Sequence, residues 1–140
     1  MTILEFEGYQ VDNMQYQRNK NYKVISKSEI KLNPKIQVKN SINDNHIEVT
    51  LSVSVGSIED SNVPFDLKCT LTGFFIYHPE TDTDNIGPDT LVRNNAVAIL
   101  YPYIRMVVST LTMTSNEYPS YIMPTVNVGE VIAKQNGNNK

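Results

Sequence analysis

From His46 to Val55 the chain alternates. Ile47, Val49, Leu51, Val53 and Val55 interleave with His46, Glu48, Thr50, Ser52 and Ser54. A period of two puts every apolar residue on one sheet face. Phe65, Leu67, Cys69, Leu71 and Gly73 alternate in the same way with Asp66, Lys68, Thr70 and Thr72. The segment from Gly56 to Pro64 is rich in turn formers, so these two strands are expected to pair antiparallel. Upstream, Ile30, Leu32, Ile36 and Val38 share one parity, and Lys31, Lys35, Gln37 and Lys39 the other. Pro34 lacks a donor and favours an edge or a bulge. A first strand, about Ile3 to Gln17, changes phase: Leu4 and Phe6 are even, Tyr9 and Val11 odd, Met14 and Tyr16 even again. Gly8 marks a bulge or twist point there. The pattern predicts four antiparallel strands, each half-buried on one face.

The period then lengthens. Ala96, Ile99, Leu100, Tyr103, Ile104, Val107, Val108 and Leu111 follow helical spacing. Pro88, Asp89 and Thr90 supply start signals. Pro102 removes a backbone donor and is expected to kink or interrupt the helix. Pro119 and Pro124 make the stretch from Tyr118 to Val126 extended. Asn127 and Glu130 resemble a capping box opening a short last helix to about Gln135. The expected architecture is α+β: a four-stranded antiparallel sheet on a long proline-interrupted helix, with a short C-terminal helix. One domain would cover residues 1–135, and residues 136–140 a disordered tail.

The helix carries Val107, Val108, Thr110 and Thr112, more β-branched surface than one sheet face needs. Together with Leu111 and Thr114 they form a candidate oligomer interface. Composition adds little: 140 residues, net charge −3 and one cysteine. A lone Cys69 excludes an internal disulfide and a multi-cysteine zinc site. The acidic start Met1–Glu7 does not read as a signal peptide, and no run reaches about 20 apolar residues. A cytoplasmic protein without a membrane span is the expectation. Seven of the twelve basic residues lie between Arg18 and Lys39. This stretch, with Tyr9, Tyr16 and Tyr22, supports an alternative reading as a nucleic-acid-binding module.

Candidate chemistry is sparse. Asp82-Thr83-Asp84-Asn85-Ile86-Gly87 resembles the start of a calcium loop. Yet Ile86 occupies a ligand position, and Arg93 stands where the closing glutamate belongs. His46 lies on the polar side of its strand, and neither His46 nor His78 has a partner at ligand spacing. Cys69 falls on the apolar side and reads as a buried, inert thiol. Phosphate loops and a nucleophile elbow are lacking. The chain therefore reads as a binder, not an enzyme, with no cofactor and no metal. Aromatic placement stands out instead: eight tyrosines, no tryptophan, and the run Phe74-Phe75-Ile76-Tyr77 closing the fourth strand. Such rings give contact area at low entropic cost.

Leu100-Tyr101-Pro102-Tyr103, Arg105, Tyr118-Pro119 and Pro124-Thr125-Val126-Asn127 resemble the signature of the SecB protein-export chaperones, and Thr72-Gly73-Phe74-Phe75 resembles the end of that family's fourth strand. The resemblance implies an ATP-independent holdase that takes unfolded or precursor polypeptides into apolar grooves, for export or to guard an unstable antitoxin. It implies a homotetramer, a dimer of dimers whose long helices meet. On this chain it points to Tyr16, Tyr22, Phe74, Phe75, Tyr101, Tyr103, Tyr118, Tyr121 and Met123 as groove residues. Export-dedicated members dock on a SecA motor through carboxylates on the exposed sheet face; here Asn13, Gln17 and Lys68 stand at those positions, which speaks against that partner.

Overall fold

The computed structural model describes residues 2–22, 32, 34–59, 63–116, 121 and 123. Strands β1 (Leu4–Arg18), β2 (Lys35–Asn43), β3 (His46–Gly56) and β4 (Phe65–Tyr77) form one antiparallel sheet in the order β1-β4-β3-β2. Parity decides which side of the sheet is covered. Ile47, Val49, Leu51, Val53 and Val55 of β3 are buried, as are Phe65, Leu67, Cys69, Leu71 and Phe75 of β4.

The phase changes along β1 have a direct structural cause. Its register against β4 slips between Phe6 and Gly8 and again between Val11 and Asn13. Each slip inserts one residue and turns the following side chains over. Leu4 and Phe6 therefore lie opposite Tyr77 and Phe75, Tyr9 and Val11 opposite Gly73 and Leu71, and Met14 and Tyr16 opposite Cys69 and Leu67. Two bulges keep all six on the inner face of a 15-residue strand. Gly8 has φ of 125°, a conformation open to glycine and strained for other residues.

A helix of 27 residues, Pro88–Thr114, packs on the inner face. It opens with α1 (Pro88–Leu91), passes through a π turn at Val92–Ala96, and continues as α2 (Val97–Thr114). The expected interruption at Pro102 does not occur, and α2 runs through it. Pro102 and Ala98 both lie on the exposed side, so the carbonyl that loses its donor is open to water. By length and composition the helix could cross a membrane. Its buried residues, Val97, Leu100, Tyr101, Ile104, Val107, Val108 and Thr112, instead recur at core-helix spacing. The helix comes close to the sheet at Gly73, where an added Cβ would lie 2.5 Å from Leu100 Cδ2.

Polar side chains close the corners. Asn19 is buried and donates from Nδ2 to the carbonyl of Val63 at 2.8 Å, tying the end of β1 to the β3–β4 connection. Asp82 is buried too. It accepts from the Tyr77 hydroxyl at 2.6 Å and from the N–H groups of Ile86 and Gly87 at 2.8 and 2.9 Å. The calcium-like stretch is thus a turn whose first carboxylate is occupied by protein donors. The expected last helix, the boundary at residue 135 and the tail 136–140 lie outside the described residues.

Candidate functional site

The long helix divides the aromatic residues into two groups. On the β1 side, Tyr103 faces Tyr9 with ring centroids 4.3 Å apart and Phe6 at 5.9 Å, and Phe6 in turn meets Phe75 at 5.2 Å. Further along β1, Tyr16 stacks on Phe65 at 5.4 Å. Between these pairs lie Val11 and Met14. Both point to the inner face, yet they remain 38% and 58% exposed. The helix covers β3 and β4 but leaves the middle of β1 open. The result is an apolar trough with an aromatic pair at each end.

On the other side, Tyr101 and Met123 are buried, and Leu32 and Tyr121 pack against the same core. Polar bonds hold this group. Arg105 Nε donates to the Met123 carbonyl at 2.8 Å, the Tyr121 N–H donates to Thr112 Oγ1 at 2.8 Å, and the Tyr121 hydroxyl donates to the Leu32 carbonyl at 3.3 Å. Thr112 donates its own hydroxyl back to the carbonyls of Ser109 and Val108, at 3.0 and 3.1 Å. Burial raises the Tyr101 and Tyr121 phenols above their ordinary range, which keeps both protonated at neutral pH.

The nine groove candidates therefore do not share one surface. Tyr16 and Tyr103 border the β1 trough, and Tyr101, Tyr121 and Met123 belong to the opposite group. Phe75 is 1% exposed within the core. Phe74 has the opposite parity and lies half-buried on the outer sheet face, across from Gly8. Tyr22 follows β1, where its N–H donates to the Asn19 carbonyl at 3.1 Å. Tyr118 is outside the described residues. Sequence reasoning missed Phe6, Tyr9, Val11 and Met14 as trough residues. Their parity was legible, but not the fact that the helix stops short of them.

The interface candidates divide in the same way. Val107, Val108 and Thr112 are buried within the protomer, so they have little surface left for a partner. Leu111 is half-buried, and Thr110 and Thr114 are exposed. The outward ridge of the helix also carries Met106 and Met113, 53% and 61% exposed.

The remaining reactive groups are engaged or enclosed. Burial pushes the Cys69 thiol up to about 11, leaving it un-ionised at neutral pH. His78 contacts Glu5 and Glu80 at 3.1 and 3.2 Å, and its pKa is raised, chiefly by the Glu5 hydrogen bond. Among the described residues, no group of three or more His, Cys, Asp or Glu side chains is arranged to hold a metal ion.

A bulged four-stranded antiparallel sheet with one long helix on its inner face defines the class: a small α+β protein. The chain matches the family model of preprotein translocase subunit SecB over residues 11–139. It belongs to the SecB family, a family of non-enzymatic chaperones. A relative in Methanocaldococcus jannaschii, the uncharacterized protein MJ0357, is 27% identical over 132 residues, 93% of this chain and 83% of that one. The fold resembles the Mycobacterium tuberculosis Rv1957 SecB-like chaperone in complex with a ChAD peptide from the Rv1956 HigA1 antitoxin, with a TM-score of 0.62, 14% identity and coverage of 88% and 90% of the two chains. A protein of unknown function from Streptococcus agalactiae aligns with a TM-score of 0.51 and 12% identity over 87% and 97%.

Proposed function

We propose that this protein is an ATP-independent holdase that keeps unfolded polypeptides from aggregating. The observation that carries this is the open trough on β1. Val11 and Met14 sit on the core-facing side of the sheet, and among the described residues no helix lies over them. Covering an apolar side chain of a client there would contribute roughly 1.5–3 kcal/mol before ordering costs. The working form we propose is a homotetramer, with the ridge at Met106, Thr110, Met113 and Thr114 facing a partner helix.

The client class we favour is an unstable partner such as an antitoxin, the class of peptide bound by the mycobacterial structural relative. Export through a SecA-type motor fits less well. Asn13, Gln17 and Lys68 all lie on the outer face of the sheet, where they offer a basic docking partner neutral groups and a like charge.

The test dilutes a chemically denatured client into buffer with and without the protein and follows light scattering, with no nucleotide present. Suppression at about one tetramer per client, weakened by Met14→Asp, supports the proposal. Aggregation unaffected by wild-type protein removes it.

A further inference from the structure

The outer face of the sheet is unlike the trough. The register sets its side chains in rows across the strands. One row runs Gln15, Lys68, Ser54, Lys35; the next Asn13, Thr70, Ser52, Gln37; a third Gln10, Thr72, Thr50, Lys39. Two strand spacings separate Lys35 from Lys68, roughly 10 Å, and Lys39 lies about 14 Å along β2 from Lys35. All three lysines are exposed, and none forms an ion pair among the described residues.

Lys35, Gln37, Ser52, Ser54, Lys68 and Thr70 line a shallow concavity of about 340 Å³. Its floor is fixed by a hydroxyl pair, Ser52 with Thr70 at 3.2 Å, and Thr50 pairs with Thr72 at 3.1 Å in the row beside it. Carboxylates stand aside. Asp66 and Glu48 lie in the rows beyond Lys68 and Lys39, and Asp12 accepts the Thr72 hydroxyl at 2.5 Å. The concavity thus holds unpaired cations around oriented hydroxyls.

We infer that this face docks an extended acidic polypeptide segment. Two carboxylates three residues apart in a polyproline II segment, which turns once every three residues, lie on one side about 9 Å apart, close to the spacing of Lys35 and Lys68. The Ser54 hydroxyl, and whichever of Ser52 and Thr70 accepts in their mutual hydrogen bond, donate to the same carboxylates. A nucleic-acid backbone fits less well. The whole chain carries −3, so its long-range field opposes a polyanion, while a peptide with two or three carboxylates meets only the local charge. The surface lies on the opposite side of the sheet from the trough, so the inference stands or falls independently of client holding.

Fluorescence anisotropy tests it with three labelled probes: a flexible peptide with three glutamates spaced three residues apart, its glutamine counterpart, and a short oligothymidylate. The glutamate peptide is expected to bind at least about tenfold more tightly than the glutamine peptide, and to weaken severalfold between about 50 and about 300 mM salt. The double variant Lys35→Glu, Lys68→Glu loses at least about tenfold, while Lys20→Glu retains binding. Circular dichroism confirms that these exposed substitutions leave the fold intact. Equal binding of both peptides, no binding of either, or indifference to the double variant overturns the inference. So does tighter, Lys35- and Lys68-dependent binding of the oligothymidylate, which would give the face to nucleic acid.

Discussion

Tyr9 and Tyr103 bring their rings to 4.3 Å with planes 32° apart, joining an edge strand to the long helix. The contact depends on the bulge at Gly8. Without the slipped register, Tyr9 would point to the outer face. Tyr103 follows Pro102 and is half-buried, so the pair is both a structural tie and one wall of the trough.

The pair is expected to couple by about 0.5–1.5 kcal/mol in a double-mutant cycle of Tyr9→Ala and Tyr103→Ala, read by urea denaturation. Tyr103→Ala should also weaken protection of a denatured client. Full protection by a folded Tyr103→Ala protein would show that this end of the trough does not take clients.

Gly73 sets the distance between sheet and helix. A Cβ there would lie 2.5 and 2.9 Å from the two methyl carbons of Leu100, and Leu100 is fully buried. Gly73→Ala is therefore expected to destabilise by about 1–3 kcal/mol through overpacking. Adding Leu100→Val should recover part of that loss. A lowered urea midpoint that Leu100→Val fails to raise would place the strain elsewhere.

Thr112 makes a helix side chain serve a distant segment. Thr112→Val keeps the shape but leaves the Tyr121 N–H without its acceptor, at an expected cost of about 1–3 kcal/mol. Faster amide exchange at Tyr121 would accompany it. Unchanged exchange there would mean that Thr112 does not hold the segment.

Two titrations of opposite sign bracket the loop after β4. Asp82 has a lowered pKa, first through the Tyr77 hydroxyl and then through the Gly87 and Ile86 N–H groups. Its contribution is fully present above the unfolded value of about 3.9 and disappears as pH falls through the lower folded value. His78 has a raised pKa, so its contribution is fully present below about 6.5 and fades as pH rises through the higher folded value. The protection factors of the Ile86 and Gly87 amides, corrected for the intrinsic pH dependence of exchange, should be highest between these limits. Asp82→Asn is expected to flatten the acid limb and His78→Gln the other. An acid limb that survives in Asp82→Asn would assign it to another carboxylate.

Much of this was legible in the sequence because strand parity is a local code. The alternation in β3 and β4 named their buried faces, and two phase changes in β1 corresponded to two bulges. Pro102 does not break the helix, because the cost of a helix proline depends on whether the freed carbonyl meets water, a tertiary fact. The aromatic set divides between separate surfaces for a similar reason. Adjacent residues such as Phe74 and Phe75 fall on opposite sheet faces, while Tyr101 and Tyr103 fall on opposite flanks of one helix. The helix periodicity also could not separate Val108, spent on the protomer's own core, from Met106 and Met113 on the ridge.

That ridge carries the last prediction. Met106 and Met113 are seven residues apart, two turns along one helix face, and both are more than half exposed. Two neighbouring large apolar side chains on an otherwise well-packed helix are best covered by a second copy. Met106→Lys combined with Met113→Lys should convert the proposed tetramer to smaller species at micromolar concentration, as read by light scattering coupled to size exclusion. The urea midpoint of the dissociated protomer should stay cooperative, because neither residue contributes to the buried core. As a control, Val108→Ala removes core volume at a fully buried position, and should lower stability without specifically dissociating the assembly. A tetramer that survives both lysines would move the contact to another surface, and the open edge of β1 would be the next to examine.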